Sequence, residues 1–193
     1  MTGRSAALRR RFGLLLIGAA VCAPLDGSAH RLDEYFQSAQ ILVEPTRVTL
    51  DLYLSPGIEI VPSVVAAVDT DRNNAISDAE ARAFAGKVLA ATTLALDGRR
   101  VTPALVTISF PTMEEFRDGV GSVHVQAATE RPRPADGRHT VAFSNRFEPR
   151  ISDYAANAVL PLTAEVAITK QSRDELQQHI TIAYDLRPKG PKP

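Results

Sequence analysis

Five residues alternate through one short stretch, DTDRNNAISDAE (residues 69 to 80), and a glutamate closes it, a pattern that suits a hard cation: Asp69, Asp71, Asn73, Ala75, Ser77 and then Glu80. They fall at positions 1, 3, 5, 7, 9 and 12 of a twelve-residue window, the positions from which an EF-hand loop turns oxygens toward calcium. Asp69, Asp71 and Asn73 supply side-chain oxygens and Ala75 supplies its carbonyl. Ser77 ligates directly or through water, and Glu80 binds with both carboxylate oxygens. Ile76 is the apolar residue that packs such a loop against its helices. The sixth position, most often glycine, is Asn74, which tolerates a left-handed backbone better than most other side chains. A metal-free reading stands beside this one: Ser77 and Glu80 also make a capping box at the start of a helix, where acidic residues are favoured. That reading leaves the alternation of Asp69, Asp71 and Asn73 without a reason. With three carboxylates in an unpaired loop, calcium affinity is expected on the order of 10⁻⁴ M, as in extracellular modules.

The other candidates are thinner. His30, once it is the first residue of a processed chain, carries a free amine beside an imidazole, a pair suited to nickel, cobalt or copper; a frayed terminus without a role is the alternative. His124 lies inside a strand-like run and reads as a packed or edge residue. His139 and His179 are isolated, and nothing in the sequence brings the four histidines together. Phe143 to Arg150 mixes aromatics, arginines and asparagine after a strand, which suits either a recognition loop or a solvated turn. No nucleophile elbow, zincin or phosphate-loop pattern occurs, so a non-enzymatic protein is expected.

The calcium loop needs a helix on each side. Ile60, Val64, Val65 and Val68 recur at helical spacing before it, and Ala81, Phe84, Val88 and Leu89 after it, which predicts helices over 59–68 and 78–91. Pro62 fits only the first turn of the earlier one. Around this insert the period changes to two. Val48, Leu50, Leu52 and Leu54 alternate with polar residues, and Tyr35 to Val43 precedes them across a turn containing Pro45, which predicts an antiparallel hairpin. Thr92 to Leu96 and Val101 to Phe110 flank Asp97-Gly98, a favoured hairpin turn. Further strands are expected over 122–129, 139–144, 155–160, 164–169 and 178–185. Two strands before the helices and about six after them suit a mainly β fold, an antiparallel Ig-like β-sandwich with an inserted EF-hand-like helix-loop-helix at about 59–91.

Residues 1–29 read as a secretory signal peptide. Arg4, Arg9, Arg10 and Arg11 precede an apolar run from Phe12 to Ala23, and Gly27, Ser28 and Ala29 are small where cleavage occurs. An uncleaved anchor is the alternative. A lipoprotein reading through Cys22 is weaker, because Val21 is bulky next to it. Removing residues 1–29 from 193 leaves 164, enough for one domain, here 30–186, with residues 187–193 as a disordered tail. The single cysteine leaves with the signal, so no disulfide is expected. Taking four arginines and one aspartate from 22 basic and 22 acidic residues leaves 18 against 21, a net charge of about −3 that excludes a strongly basic nucleic-acid binder. No second apolar stretch is long enough to span a membrane.

Together, Ala29 to Tyr35 (AHRLDEY), the strand pair, the loop Asp69 to Glu80 with the helix running on to Leu94–Gly98, and the stretch Asn145 to Pro161 carry a family resemblance. They resemble the extracytoplasmic N-terminal region of bacterial nickel/cobalt exporters and HupE/UreJ-type transporters, where a segment beginning Ala-His precedes a β-rich domain with an EF-hand-like loop and, often, membrane helices. The resemblance spans most of residues 29–186. No membrane helices follow here. The resemblance therefore implies a periplasmic or secreted calcium-binding domain that serves as an accessory or interaction module of a separate inner-membrane transporter. Its other implication is a periplasmic accessory that handles nickel, cobalt or copper through His30.

Overall fold

The computed structural model describes residues 32–188. The expected signal peptide, His30 and residues 189–193 of the expected tail lie outside the described residues. Strand β1 (Tyr35–Val43) turns at Glu44 to Thr46 into β2 (Arg47–Pro56), as the alternation predicts. Helices α1 (Val61–Val68) and α2 (Asp78–Ala90) follow, with Pro62 in the first turn of α1. Then come β3 (Thr92–Leu96), β4 (Arg99–Val101), β5 (Ala104–Ser109), the short helix α3 (Met113–Arg117), β6 (Val123–Glu130), β7 (Gly137–Asn145), β8 (Ser152–Ala158), β9 (Val166–Arg173) and β10 (His179–Leu186).

The strands form two five-stranded sheets, ordered β5-β6-β2-β1-β8 and β4-β3-β7-β10-β9. The chain is mainly β, and among the described residues all strand pairings but one are antiparallel. The exception corrects the expectation of a wholly antiparallel fold: β8 lies parallel to β1, Tyr35 opposite Ser152. A single core joins the sheets. Val48, Leu50, Leu52 and Leu54 are each at most 2 % exposed, and they share one cluster with Leu94, Val141, Phe143, Ile180, Ile182 and Tyr184 of the second sheet.

A second correction concerns residues 101–110, expected as one strand. Pro103 has no N–H to give to a ladder, so pairing stops at Val101. β4 finishes its hairpin with β3, and β5 then starts against β6 in the other sheet. The register of β5 slips between Leu105 and Thr107, leaving Val106 half exposed. The Asp97-Gly98 turn forms as expected, with both residues at positive φ, 48° and 77°. Eight strands therefore follow the helices instead of about six.

Polar ties supplement the core. Gln37 of β1 is buried and donates from Nε2 to the Phe147 carbonyl (2.9 Å) and to Ser152 Oγ (2.6 Å), while Asn145 Nδ2, at the end of β7, donates to Gln37 Oε1 (2.8 Å). Phe147 N–H reaches Asn145 Oδ1 at 3.0 Å, and the Tyr154 hydroxyl donates to the Phe147 carbonyl at 2.7 Å. Within residues 143–150, Phe143, Asn145 and Phe147 are buried in a corner joining the two sheets, while Arg146 and residues 148–150 form an exposed turn, in keeping with the solvated turn expected. At the outer strands Arg173 of β9 donates to the Ala156 carbonyl of β8 at 2.5 Å. Arg187, expected to begin a loose tail, is tied through its N–H to the Glu165 carbonyl (2.8 Å).

Candidate metal centre

The chain leaves α1 at Asp69, whose N–H still reaches back to the Val65 carbonyl at 2.8 Å, and it enters α2 at Ser77. Between them the backbone curls through two left-handed residues, Arg72 (φ 59°) and Asn74 (φ 64°). Asn74 thus takes the strained position in which asparagine was expected to be tolerated. Its side-chain oxygen accepts from Arg117 Nη2 at 2.5 Å, which ties the loop to α3.

Backbone donors fix the carboxylates. Asp69 is only 5 % exposed; its Oδ1 accepts the Asn73 N–H (3.1 Å) and its Oδ2 the Asn74 N–H (3.0 Å). Asp71 accepts from Asn73 twice, through the backbone N–H (3.1 Å) and through Nδ2 (2.8 Å). Asn73 Oδ1 accepts the Ala75 N–H at 2.8 Å. Glu80 reaches back over the loop. Its Oε2 accepts from Ser77 N–H (3.0 Å) and Oγ (2.8 Å), and its Oε1 from Thr70 N–H (2.6 Å) and Oγ1 (2.8 Å).

Those donors, Ser77 first and Thr70 next, hold the Glu80 carboxyl down at about 2, well below the usual carboxylate range, so it is charged at any ordinary pH. The capping box at Ser77 does form, since the Glu80 N–H also donates to Ser77 Oγ. A cap accounts for Oε2 alone. Oε1 crosses to Thr70 and brings Glu80 beside the two aspartates, and one oxygen each of Asp69, Asp71 and Glu80 lie within 4.8 Å of one another. Among the described residues no arginine, lysine or histidine side chain pairs with any of the three.

No family model matches the chain, and neither the curated proteins nor the solved structures supply a match. What the loop can do therefore has to follow from its own atoms.

The donor set is oxygen only, three carboxylates with an asparagine and a serine in the same hydrogen-bonded ring, and this suits a hard divalent cation better than a late transition metal. Three negative charges so close repel one another, and a cation between them removes that cost. Of the six ligands expected from sequence, Asp69, Asp71 and Glu80 converge. Asn73 and Ser77 sit in the same ring as partners of Asp71 and Glu80, and Ala75 enters it through its N–H. Ile76 packs partly buried against the core beside Ile108 and Phe110, as an apolar eighth residue should. Thr70 and Arg117 escaped the sequence reading. Thr70 is not a ligand position in the pattern, and Arg117 is too distant in sequence to carry a local signal.

The other candidates do not gather into a site. His30 lies outside the described residues. His124 Nε2 pairs with Asp51 Oδ1 at 2.8 Å and its ring stacks on Tyr53 at 4.6 Å. His139 pairs with Asp97, and His179 contacts Thr181 of its own strand. Among the described residues no helix is long and apolar enough to cross a membrane.

Proposed function

We propose that residues 69–80 form a calcium loop, and that the protein is an exported, non-enzymatic domain in which calcium fastens an EF-hand-like insert to an Ig-like β-sandwich. One observation carries the reading: three carboxylate oxygens from Asp69, Asp71 and Glu80 converge within 4.8 Å in a loop framed by two helices, with no cationic side chain among the described residues paired to them. The ion would occupy the space those oxygens face. Held there, it would fix the end of α1 to the start of α2, a structural use more than a regulatory one. The resemblance to transporter-associated extracytoplasmic domains supports a role as an accessory module of an inner-membrane transport system.

The decisive experiment separates the metal from the cap. Glutamine at the third helical position completes a capping box as well as glutamate does, yet it loses the bidentate carboxylate. Calorimetric titration of residues 30–193 should give one calcium per chain with a Kd on the order of 10⁻⁴ M. Glu80→Gln should abolish that heat and also cost the metal-free protein the bonds of one oxygen, since an amide NH2 cannot accept from the Thr70 or Ser77 donors, whereas Ser77→Ala should lower its stability by about 1 kcal/mol through the lost cap. Calcium binding that survives in Glu80→Gln would remove the assignment.

A further inference from the structure

The opposite end of the molecule carries a histidine in an unusual bonding position. His139, third residue of β7, has Nδ1 2.8 Å from Asp97 Oδ2 and Nε2 2.7 Å from the Ala135 carbonyl oxygen. A carbonyl can only accept. Asp97 also only accepts, because the Thr140 N–H at 2.8 Å and the neighbouring His139 outweigh the effect of its burial and keep its carboxyl below the usual range. Both ring nitrogens must therefore carry hydrogen, which is the imidazolium form.

This contact joins the β3–β4 turn that holds Asp97 to the loop 131–136 that holds Ala135, where Arg131 also acts on the Asp97 charge. The charged and titratable groups around the ring are few. Tyr184 of β10 lies 5.6 Å from it, ring to ring. Arg131 covers Tyr184 and donates to its hydroxyl at 2.7 Å. Farther along the loop Arg133 pairs with Asp136 (2.8 Å) and Glu165 (3.4 Å) and donates to the Arg187 carbonyl (2.6 Å), and Arg138 faces Asp185 at 3.6 Å. Arginine keeps its charge at any ordinary pH, and burial raises the Tyr184 phenol. Of the groups touching the Ala135 contact, His139 is the one placed to change charge near neutral pH.

We propose that His139 is a proton-operated latch: as an imidazolium it clasps the 131–136 loop to the β3–β4 turn, and on losing one proton it releases the loop at Ala135. The direction follows from the two partners. A neutral ring keeps its remaining proton on Nδ1, facing the carboxylate, so the Nε2 lone pair then points at the carbonyl oxygen and the 2.7 Å contact turns repulsive. Arg131 and Arg133 still hold the flanks, Arg133 through the Asp136 carboxylate and the Pro134 carbonyl, which centres the release on the Ala135 peptide and its bond to Asp136. Burial of the ring favours the neutral form, but the Ala135 carbonyl and Asp97 outweigh it and raise the ring above an ordinary histidine. The latch uses no group of the metal loop and stands whether or not calcium binds.

The test is a pH titration of the wild-type protein by NMR, following the His139 ring nitrogens together with the backbone amides of Ala135 and Asp136. The latch requires a ring midpoint above the ordinary value of about 6.5, both nitrogens protonated below it, and loop amides that shift with the same midpoint. Asp97→Asn should move that midpoint downward, and His139→Gln should leave the loop amides flat across the range, while the amide of Asn74 ignores the transition in every variant. A ring that titrates at or below the ordinary value, or one that titrates while the Ala135 and Asp136 amides stay still, would overturn the proposal without recourse to any variant.

Discussion

The two ends of the molecule treat carboxylates in opposite ways. At the loop end, Asp97, Asp136, Glu165 and Asp185 each meet a histidine or arginine of the same chain. At the helical end, Asp69, Asp71 and Glu80 meet N–H and O–H donors but, among the described residues, no cationic side chain. Hydrogen-bond donors fix the position of a carboxylate and leave most of its charge in place. One end therefore pairs its carboxylates from its own sequence, while the other gathers three carboxylates that no cationic side chain among the described residues pairs with.

That contrast can be tested by damaging each end. The largest effect is expected from Phe84→Ala. Phe84 is 3 % exposed and packs its ring against Phe110 (5.8 Å) and Phe147 (5.7 Å), so its loss detaches α2 from the strands and the buried corner together. Urea denaturation should register a loss of about 3–5 kcal/mol. Next comes the cation itself. At one hundred times its Kd, calcium should stabilise the wild type by about 2.7 kcal/mol, and the gain should vanish in Glu80→Gln. Equal stabilisation of both proteins would mean that calcium acts somewhere other than these three carboxylates.

Tyr35→Phe should move stability the other way. The Tyr35 hydroxyl is buried beside Phe147 without a hydrogen-bond partner among the described residues, so removing it should raise stability by about 1 kcal/mol in the same denaturation assay. The smallest effects are those of pH. Glu80 is depressed from about 4.5 to about 2, so its hydrogen bonds contribute fully above the higher value and are lost as pH falls toward the lower. Asp97 is depressed too, so both ends weaken in acid. His139 is raised, so its contribution is complete below about 6.5 and is lost as pH climbs through the folded value. Melting temperature against pH should therefore show an alkaline decline that His139→Gln removes and Glu80→Gln leaves intact.

Much of the candidate site could be read from the sequence because its residues are local: alternation over residues 69–80 dictates which side chains share a ring. The strands were legible for the same reason, since Leu50, Leu52 and Leu54 announce their buried face every second residue. What escaped depends on distant partners. Nothing in Ser152 to Ala158 states that it lies parallel to β1, and nothing in Arg117 states that it reaches Asn74. The burial of Asn145 and Gln37 was not legible because amides look like surface residues; they are buried because each is hydrogen-bonded across the sheets. Two local signals were there to be used. Pro103 marks where the chain changes sheets, and Thr112 with Glu115 spells the capping box of α3.

The parallel alliance of β1 with β8 also constrains the order of assembly. β2 folds back on β1 across a short turn, so one side of β1 is satisfied almost at once. Its other side waits for a strand from beyond the helices, β6 and β7, and such remote pairings slow folding because chain entropy is lost before they form. During that interval the Gln37 to Ile41 margin is an open strand edge with buried-type residues at alternate positions, the kind of template on which neighbouring chains align. A chain delivered from its N-terminus would expose that edge longest, which makes the arrival of residues 152–158 the step that separates productive folding from aggregation.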